Sequence, residues 1–397
     1  MKVYLVFIIV FMIASLIYSQ ENNLIPFRDK NKWGFSDTNK NIIIPCKYDY
    51  AEPFKKGIAL VWLDHKFGWI NTKGEFLNNM LYENLIDFSD SIAAVSINKL
   101  WGFINNKGKT IINPAFENVK LFNEGLARIM LKDKWGFINV RGDIIIRPDY
   151  DEVRAFKEGF AVVCQNNKWG FIDKTGKIIV PIIFDKVDHY FREGMAGVFK
   201  NGNWGFANNK GVIVIPLIYD EIRLGFHEGL ACVKKDKLNG YIDKFGKVII
   251  PFKYVIATSF REGYASVFEN LDSKCYYIDK KGNRLIKDKY DFGNEFYEGF
   301  AQVQKYLGSI IVTGFIDKKG KEITPFKYED ANNFSNGYAA VKFNNKWGFI
   351  DKSGREVVEP KYEYDKYEQN SNTLIKVNYP NKETFYIDMK GREYYSE

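Results

Sequence analysis

One acidic residue recurs along most of this chain, each time directly after an aromatic residue. A row of carboxylates at equivalent positions suits the binding of cations or of a basic partner. In the alternative interpretation, each acid accepts hydrogen bonds from turn amides and pairs with neighbouring lysines. We favour this local role, because carboxylate catalysis needs an unequal pair whose pKa values are pushed apart. The acids are Asp49, Glu83, Glu117, Asp151, Asp185, Asp220, Asp291, Glu329 and Glu363, interrupted by Val255.

Other residue types that support chemistry do not form a recognisable site. The three histidines, His65, His189 and His227, occupy different phases of the pattern, and no zinc-type spacing of cysteine or histidine occurs. The Asp-x-x-Gly turns lack the further ligands of a calcium loop. Nucleophile-elbow and phosphate-loop motifs are missing as well. The sequence therefore predicts no catalytic residue, no cofactor and no metal site.

The acids belong to a repeat that runs through the whole chain. A Trp-Gly glycine or its equivalent recurs every 34 to 38 residues, which indicates a repeat architecture. No stretch shows a sustained helical period, so the sequence predicts an all-β tandem repeat of propeller-like blades. An open superhelical β-array is the alternative. The positions are Gly34, Gly68, Gly102, Gly136, Gly170, Gly205, Gly240, Tyr276, Gly314, Gly348 and Phe385.

One cycle contains four short β-type runs, which we expect to form an antiparallel blade. In the central copy these runs are Tyr150–Phe156, Phe160–Cys164, Lys168–Asp173 and Lys177–Pro181. The Phe-x-Glu-Gly and Asp-x-x-Gly segments between them predict tight turns. The glycine of Trp-Gly lies inside a run, where it predicts a bulge or the close approach of another backbone.

Two further positions predict how the blades pack. A phenylalanine precedes the first turn and an alanine follows it in every complete cycle, as at Phe191 and Ala196. A large ring paired with a small residue predicts interlocking layers. Cys46, Cys164, Cys232 and Cys275 fall in four different phases, and we interpret them as small core residues rather than a disulfide framework.

The repeat resembles the bacterial WG-repeat (Trp-Gly, or KWG) family. The resemblance is carried by Lys134-Trp-Gly-Phe-Ile-Asn, Lys168-Trp-Gly-Phe-Ile-Asp and Lys346-Trp-Gly-Phe-Ile-Asp, and it extends over residues 31 to 397. It implies a β-rich repeat in exported or envelope-associated proteins that mediate interactions, without a shared catalytic residue. Several copies depart from the pattern, and the last is the most degenerate of about eleven and is expected to act as a cap.

The N-terminus predicts export. Lys2 is followed by an apolar run over residues 3 to 17, so residues 1–19 are interpreted as a signal peptide and 20–397 as the repeat domain. No later segment predicts a transmembrane span, and the expected location is periplasmic, cell-surface or secreted. The net charge of +8 suits polyanionic glycans or envelope lipids, but the positive charges are scattered, and nucleic acid is not an expected partner.

The sequence therefore favours a non-enzymatic exported binding or scaffold module for a protein or an envelope glycan. The alternative is a glycan-active enzyme that uses carboxylates from different repeats. Function is sought first where the repeat is irregular, since insertions in repeat proteins map to loops. The clearest irregularity is Gln302–Thr313, and a smaller one is Leu271–Tyr276.

Overall fold

The computed structural model describes residues 24–77, 82–89, 91–363, 374–378 and 384–396. The predicted signal peptide, residues 1–19, lies outside this part. All regular elements of the described residues are β-strands, so the all-β prediction is confirmed. None of the described residues forms a helix with the length and apolar character needed to cross a membrane.

The strands fall into two compact units along the chain. The first unit comprises the described residues up to Leu121 together with those from Glu363, and the second comprises Phe122–Tyr362. The strands of the first unit are β1 (Ile25–Asp29), β2 (Lys32–Ser36), β3 (Ile42–Tyr48), β4 (Tyr50–Ala51), β5 (Ile58–Leu63), β6 (Lys66–Asn71), β7 (Asn84–Ser89), β8 (Ile92–Ile97), β9 (Leu100–Asn105), β10 (Thr110–Phe116), β38 (Leu374–Asn378), β39 (Thr384–Asp388) and β40 (Glu393–Ser396).

The second unit begins within β11 and ends with β37. Its strands are β11 (Asn118–Asn123), β12 (Leu126–Leu131), β13 (Lys134–Asn139), β14 (Ile144–Tyr150), β15 (Glu152–Val153), β16 (Phe160–Gln165), β17 (Lys168–Asp173), β18 (Ile178–Phe184), β19 (Lys186–Val187), β20 (Met195–Lys200), β21 (Asn203–Asn208), β22 (Ile213–Tyr219), β23 (Glu221–His227), β24 (Leu230–Lys235), β25 (Leu238–Ile242), β26 (Val248–Tyr254), β27 (Ile256–Ala257), β28 (Ala265–Phe268), β29 (Cys275–Ile278), β30 (Arg284–Tyr290), β31 (Phe292–Tyr297), β32 (Phe300–Leu307), β33 (Ile310–Asp317), β34 (Asp330–Ala331), β35 (Tyr338–Phe343), β36 (Lys346–Asp351) and β37 (Glu356–Tyr362).

These strands form small sheets of consecutive antiparallel neighbours, which we call blades. The second unit contains the blades β11–β14, β15–β18, β19–β22, β23–β26, β27–β30, β31–β33 and β34–β37. The first unit contains β4–β6, β7–β10 and a six-stranded sheet in which β1 pairs in parallel with β40. The prediction of tandem, propeller-like blades is confirmed.

The blade β15–β18 corrects two of the expected strand boundaries. The predicted run Tyr150–Phe156 contributes only Glu152–Val153 to its own blade, because Tyr150 ends the preceding strand. The last strand does not stop at Pro181 but continues to Phe184. It passes through an irregular register, which allows Phe184 to lie opposite Trp169. The strand bends at the proline instead of ending there, because a bulge absorbs the lost ladder hydrogen bond.

That bulge explains the glycine of Trp-Gly. A Cβ atom built on Gly170 would lie 2.5 Å from the carbonyl oxygen of Val180 and 2.8 Å from that of Pro181. The prediction of a close backbone approach is therefore confirmed. The same backbone contact, at 2.4–2.5 Å from the equivalent carbonyl, occurs at Gly34, Gly102, Gly136, Gly205 and Gly348.

Two of the three turns in a blade were predicted, and the third was not. Both central residues of the Phe-x-Glu-Gly turn are left-handed, with φ of 53° at Glu158 and 84° at Gly159. In the Asp-x-x-Gly turn, the carboxylate of Asp173 accepts the Lys177 amide at 3.1 Å. The hairpin between β16 and β17 has the left-handed pair Asn166 and Asn167, a tight turn that the sequence pattern did not reveal.

The core lies between successive blades. Phe191 and Ala196 are fully buried in one hydrophobic cluster with Phe171 and Val180 of the preceding blade. The ring centroid of Phe191 lies 4.7 Å from those of both Phe160 and Phe171. The predicted ring-and-alanine packing is therefore confirmed, and it joins one repeat to the next. Cys164, Cys232 and Cys275 are buried, as expected of core residues, whereas Cys46 is partly exposed.

Candidate binding surfaces at the two ends of the blades

Each blade has two chemically distinct ends. Because neighbouring strands are antiparallel, the Phe-x-Glu-Gly and Asp-x-x-Gly turns emerge at the same end, which we call the Glu-Gly end. The hairpin between the second and third strands emerges at the opposite end. The recurring acid, which follows the last strand, lies there too. We call this the ladder end.

The recurring acids bond lysines of their own blade and hairpin amides of the next blade. Asp151 accepts hydrogen bonds from the Nζ atom of Lys134 and, at 2.7 Å, from the backbone amide of Asn166. Asp185 does the same with Lys168 and Asn201. The local role that we favoured is thus confirmed wherever such a contact is described. The other acids that bond a hairpin amide are Asp49, Glu83, Asp220, Asp291 and Glu329.

These contacts predict a loss of stability in acid. The hydrogen bond from Lys134 lowers the pKa of Asp151, and that from Lys168 lowers the pKa of Asp185. A lowered folded-state pKa stabilises the protein above the ordinary Asp value of about 3.9, and this contribution disappears as the pH falls through the folded-state pKa. We expect the urea midpoint to fall between about pH 5 and pH 3. The variant D151N/D185N should start from a lower midpoint at pH 7 and show a smaller acid-dependent fall. An unchanged pH dependence in the variant would contradict this assignment.

A second row of acids, at the Glu-Gly end, joins neighbouring blades. Glu193 accepts the backbone amide of Gly229 at 3.1 Å and pairs with Lys244 at 3.1 Å, and both partners belong to the next blade. Sequence reasoning missed this contact, although the recurring Glu and the lysine of the Asp-Lys-x-Gly turn are its signal. Equivalent pairs are Glu124 with Lys174, Glu228 with Lys280, Glu262 with Lys318 and Glu298 with Lys352.

The irregular segment Gln302–Thr313 forms a hairpin that is longer than its counterparts. Strands β32 and β33 stay paired up to the turn. Leu307 and Ile310 form the last pair, and Tyr306 and Ile311 form the pair before it. All four of these side chains are exposed, by 48% for Tyr306, 59% for Leu307, 62% for Ile310 and 47% for Ile311. An insertion has therefore placed apolar side chains in solvent at the ladder end.

The second irregularity lies at the same end of the preceding blade. Leu271, in the turn between β28 and β29, is 75% exposed. The carboxylate of Asp291 accepts hydrogen bonds from Lys274, next to this turn, and from the Tyr306 amide at 2.9 Å. One acid thus bonds both hairpins. We call the exposed side chains the hairpin patch: Leu271, Tyr306, Leu307, Ile310 and Ile311.

The lysines near the base of the hairpin patch are paired with acids. Lys305 and Lys289 both contact Glu322, at 3.1 Å and 3.0 Å. Lys274 pairs with Asp291. The patch is therefore apolar at its tip and close to charge balance at its base.

The enzyme alternative requires a pair of carboxylates with different pKa values, and Asp188 is the acid to test for this. Burial raises its pKa, opposed by the hydrogen bond from the Gly197 amide at 2.8 Å and by the charge of Arg192. The other groups that influence it are bases and not carboxylates, namely His189 and Arg154. Glycosidases place a second carboxylate beside the first. The groups that influence Asp188 include bases in place of that second carboxylate.

Arg192 and His227 come from different blades, yet Arg192 Nη1 lies 3.1 Å from His227 Nε2. Arg192 also influences His189, so two of the three histidines share one guanidinium neighbour. Among the described residues, no three His, Cys, Asp or Glu side chains converge into a group that could hold a metal ion.

Comparison with solved structures supports the fold. A crystal structure described as a eukaryotic initiation factor aligns with a TM-score of 0.50 and 11% identity, covering 77% of this chain and 95% of its own. BamB from Moraxella catarrhalis covers 78% of this chain and 91% of its own at 10% identity, with a TM-score of 0.30. At 11% identity the likeness to the initiation factor concerns the fold alone. No curated protein matches the sequence.

The family comparison is more specific. The model for the WG-containing repeat matches ten tandem segments, which agree in phase with the repeats derived above and together span residues 33–364. The matches cover residues 33–64, 67–101, 101–135, 135–169, 169–204, 204–238, 240–270, 277–306, 314–347 and 347–364. This chain therefore belongs to the family of proteins built from WG-containing repeats.

Proposed function

We propose that this protein is an exported, non-enzymatic binding module that docks a partner protein through the hairpin patch. The observation that carries the proposal is the hairpin β32–β33, which exposes Tyr306, Leu307, Ile310 and Ile311 at its tip. Exposed apolar groups that cluster, rather than stand singly, mark interaction sites. The repeat fold is compatible with such a role, since packed blades give loops a rigid support.

The chemistry of the hairpin patch favours a protein over an envelope glycan or a lipid surface. Three of its four tip residues are aliphatic, which suits the apolar centre of a protein interface. Glycan binding relies more on aromatic faces and polar groups, and Tyr306 is the one aromatic side chain at this tip. The paired charges of Lys274 and Lys305 leave little attraction for anionic headgroups.

The hairpin patch is too small to form a whole interface by itself. A stable interface buries roughly 800 Å² on each partner, more than the five side chains of the hairpin patch supply. A few central residues nevertheless carry most of the binding energy in many complexes. We therefore assign the hairpin tip the role of an anchor, surrounded by the polar groups of the ladder end.

The test compares two double variants of the exported protein. Isolated from the exported fraction, the chain is expected to begin near Gln20. A saturable partner protein captured from an envelope extract is purified and titrated against each variant by calorimetry. L307S/I310S should weaken binding at least tenfold, because it removes the apolar anchor.

The matched control is I178S/V212S, which changes two other exposed aliphatic residues, 51% and 56% exposed, outside the hairpin patch. It should bind as the unaltered protein does, and both variants should keep their thermal midpoint. Equal affinity of all three proteins would refute the proposal. So would a dependence on Leu307 and Ile310 that is seen only with lipid vesicles or glycans.

A further inference from the structure

We infer a second binding site, for a linear anionic glycan, at the Glu-Gly end of four consecutive blades. It goes beyond the proposed function and rests on different residues. The residue between Phe and Glu in each turn is basic or imidazole in four successive repeats. These residues, which we call the basic row, are Lys157, Arg192, His227 and Arg261. The repeat brings charges that are scattered along the sequence to equivalent turn positions in this part of the chain.

Aromatic rings hold the basic row in place. Two cations lie over the ring of Tyr190: Lys157 Nζ is 3.6 Å and Arg192 Cζ is 4.4 Å from the ring centroid. Arg192 also donates to the Tyr190 hydroxyl at 2.5 Å and lies 3.1 Å from the Nε2 atom of His227. Arg261 lies 3.8 Å from the ring centroid of Tyr297. Cations fixed against rings in this way lose less side-chain entropy when an anion binds.

The neighbouring acids do not neutralise this row. Glu193, Glu228 and Glu262 are engaged by the lysines of the next blade, at 3.1, 3.8 and 3.0 Å. Within the described part of the chain, no carboxylate oxygen lies within ion-pair distance of Lys157, Arg192 or Arg261. The remaining acids nearby are Glu158, which follows Lys157 in the chain, Asp188, which bonds the Gly197 amide, and Glu295, which accepts from the Tyr297 hydroxyl at 3.5 Å.

Arg154 adds a further cation on the same side of the molecule. It lies three residues before Lys157, and its charge influences Asp188 and His189. Its Nη1 atom is buried and has no hydrogen-bond partner among the described residues. The charge of Arg154 adds to the positive potential at this part of the surface.

The arrangement identifies the class of ligand. Cations at three of four equivalent turns, with His227 between Arg192 and Arg261, match a polymer whose negative charges recur along its length, as in a chain of uronic acids. Guanidinium groups bind planar carboxylates through two parallel hydrogen bonds. A single-stranded nucleic acid needs open aromatic faces on which bases stack. The cations on Tyr190 and Tyr297 cover such faces within the basic row, and the exposed Phe245 offers one ring rather than a series, so we assign the site to an anionic glycan.

The test is a calorimetric titration of the full mature chain with polygalacturonate at about 50 mM salt. R192Q/R261Q should weaken binding at least tenfold. The matched control K210Q/K247Q removes the same charge from two exposed lysines at the Glu-Gly end, outside the basic row. It should change affinity less than twofold, and neutral dextran should not bind.

Equal weakening by both double variants would overturn the inference in favour of a general charge effect. Tighter binding of polyphosphate or single-stranded DNA that depends on the same arginines would reassign the site to phosphate polymers. The variant L307S/I310S should bind polygalacturonate normally, because the hairpin patch lies at the ladder end. Failure of one site is therefore distinguishable from failure of the other.

Discussion

Phe191→Ala is expected to lower the free energy of unfolding by about 3–5 kcal/mol. The Phe191 ring is fully buried and contacts the rings of Phe160 and Phe171 in the preceding blade. Its removal would leave a cavity between two blades, because backbones held by ladder hydrogen bonds cannot collapse freely into it. Urea unfolding followed by circular dichroism measures the change.

The control for this variant is Phe245→Ala. Phe245 lies in a turn at the Glu-Gly end and is 86% exposed, so its replacement should change stability by less than about 0.5 kcal/mol. Similar losses in the two variants would show that packing between blades is not what stabilises the array. A loss confined to Phe191→Ala is the expected result.

Gly170→Ala is expected to cost about 2–3 kcal/mol, although it adds a single methyl group. The new Cβ would lie 2.5 Å from the carbonyl oxygen of Val180, so the strand or its bulge must move. Backbone atoms of a hydrogen-bonded blade yield less easily than the end of a side chain. The pairing of Trp169 with Phe184 would be disturbed as well, since it depends on the same bulge.

Gly314→Ala is the matched control, because Gly314 occupies the same phase of the repeat. The nearest atoms to its Cβ would belong to the ring of Phe326, at 3.3 Å, and a ring can shift by a few tenths of an ångström. We expect less than about 1 kcal/mol. Equal losses of stability in both variants would contradict the role of the close approach to Val180. They would show instead that β-strands of this repeat tolerate the substitution poorly in general.

The two proposed sites place different chemistry at opposite ends of the blades. The hairpin patch lies where the repeat is interrupted by an insertion. The basic row lies where the repeat is regular, at the variable position between Phe and Glu, which basic residues occupy in four successive copies. A module with both sites would hold a partner protein at one end and an anionic glycan at the other. This arrangement suits a scaffold at a glycan-rich surface.

Features within one blade were predictable from the sequence. The glycine of Trp-Gly, the Phe-x-Glu-Gly turn and the Asp-x-x-Gly turn each reflect contacts between residues close in the chain. These contacts require particular residue types, such as glycine at Gly159 and Gly170. The same residue types recur because each blade makes the same contacts. The boundaries of the first and last strands were less predictable, because a bulge lets β18 continue past Pro181.

The sequence by itself determined the all-β repeat, its period, the residues that face the core and the irregular segment that departs from the period. Only the tertiary structure decided what lies next to what between blades. The pairing of Glu193 with Lys244, and of Arg192 with His227, joins residues 35 or more positions apart. Such contacts depend on how one blade stacks on the next. That stacking follows from the packing of buried rings. The recurring glutamates and turn lysines are visible in the sequence, but their period does not say which glutamate meets which lysine.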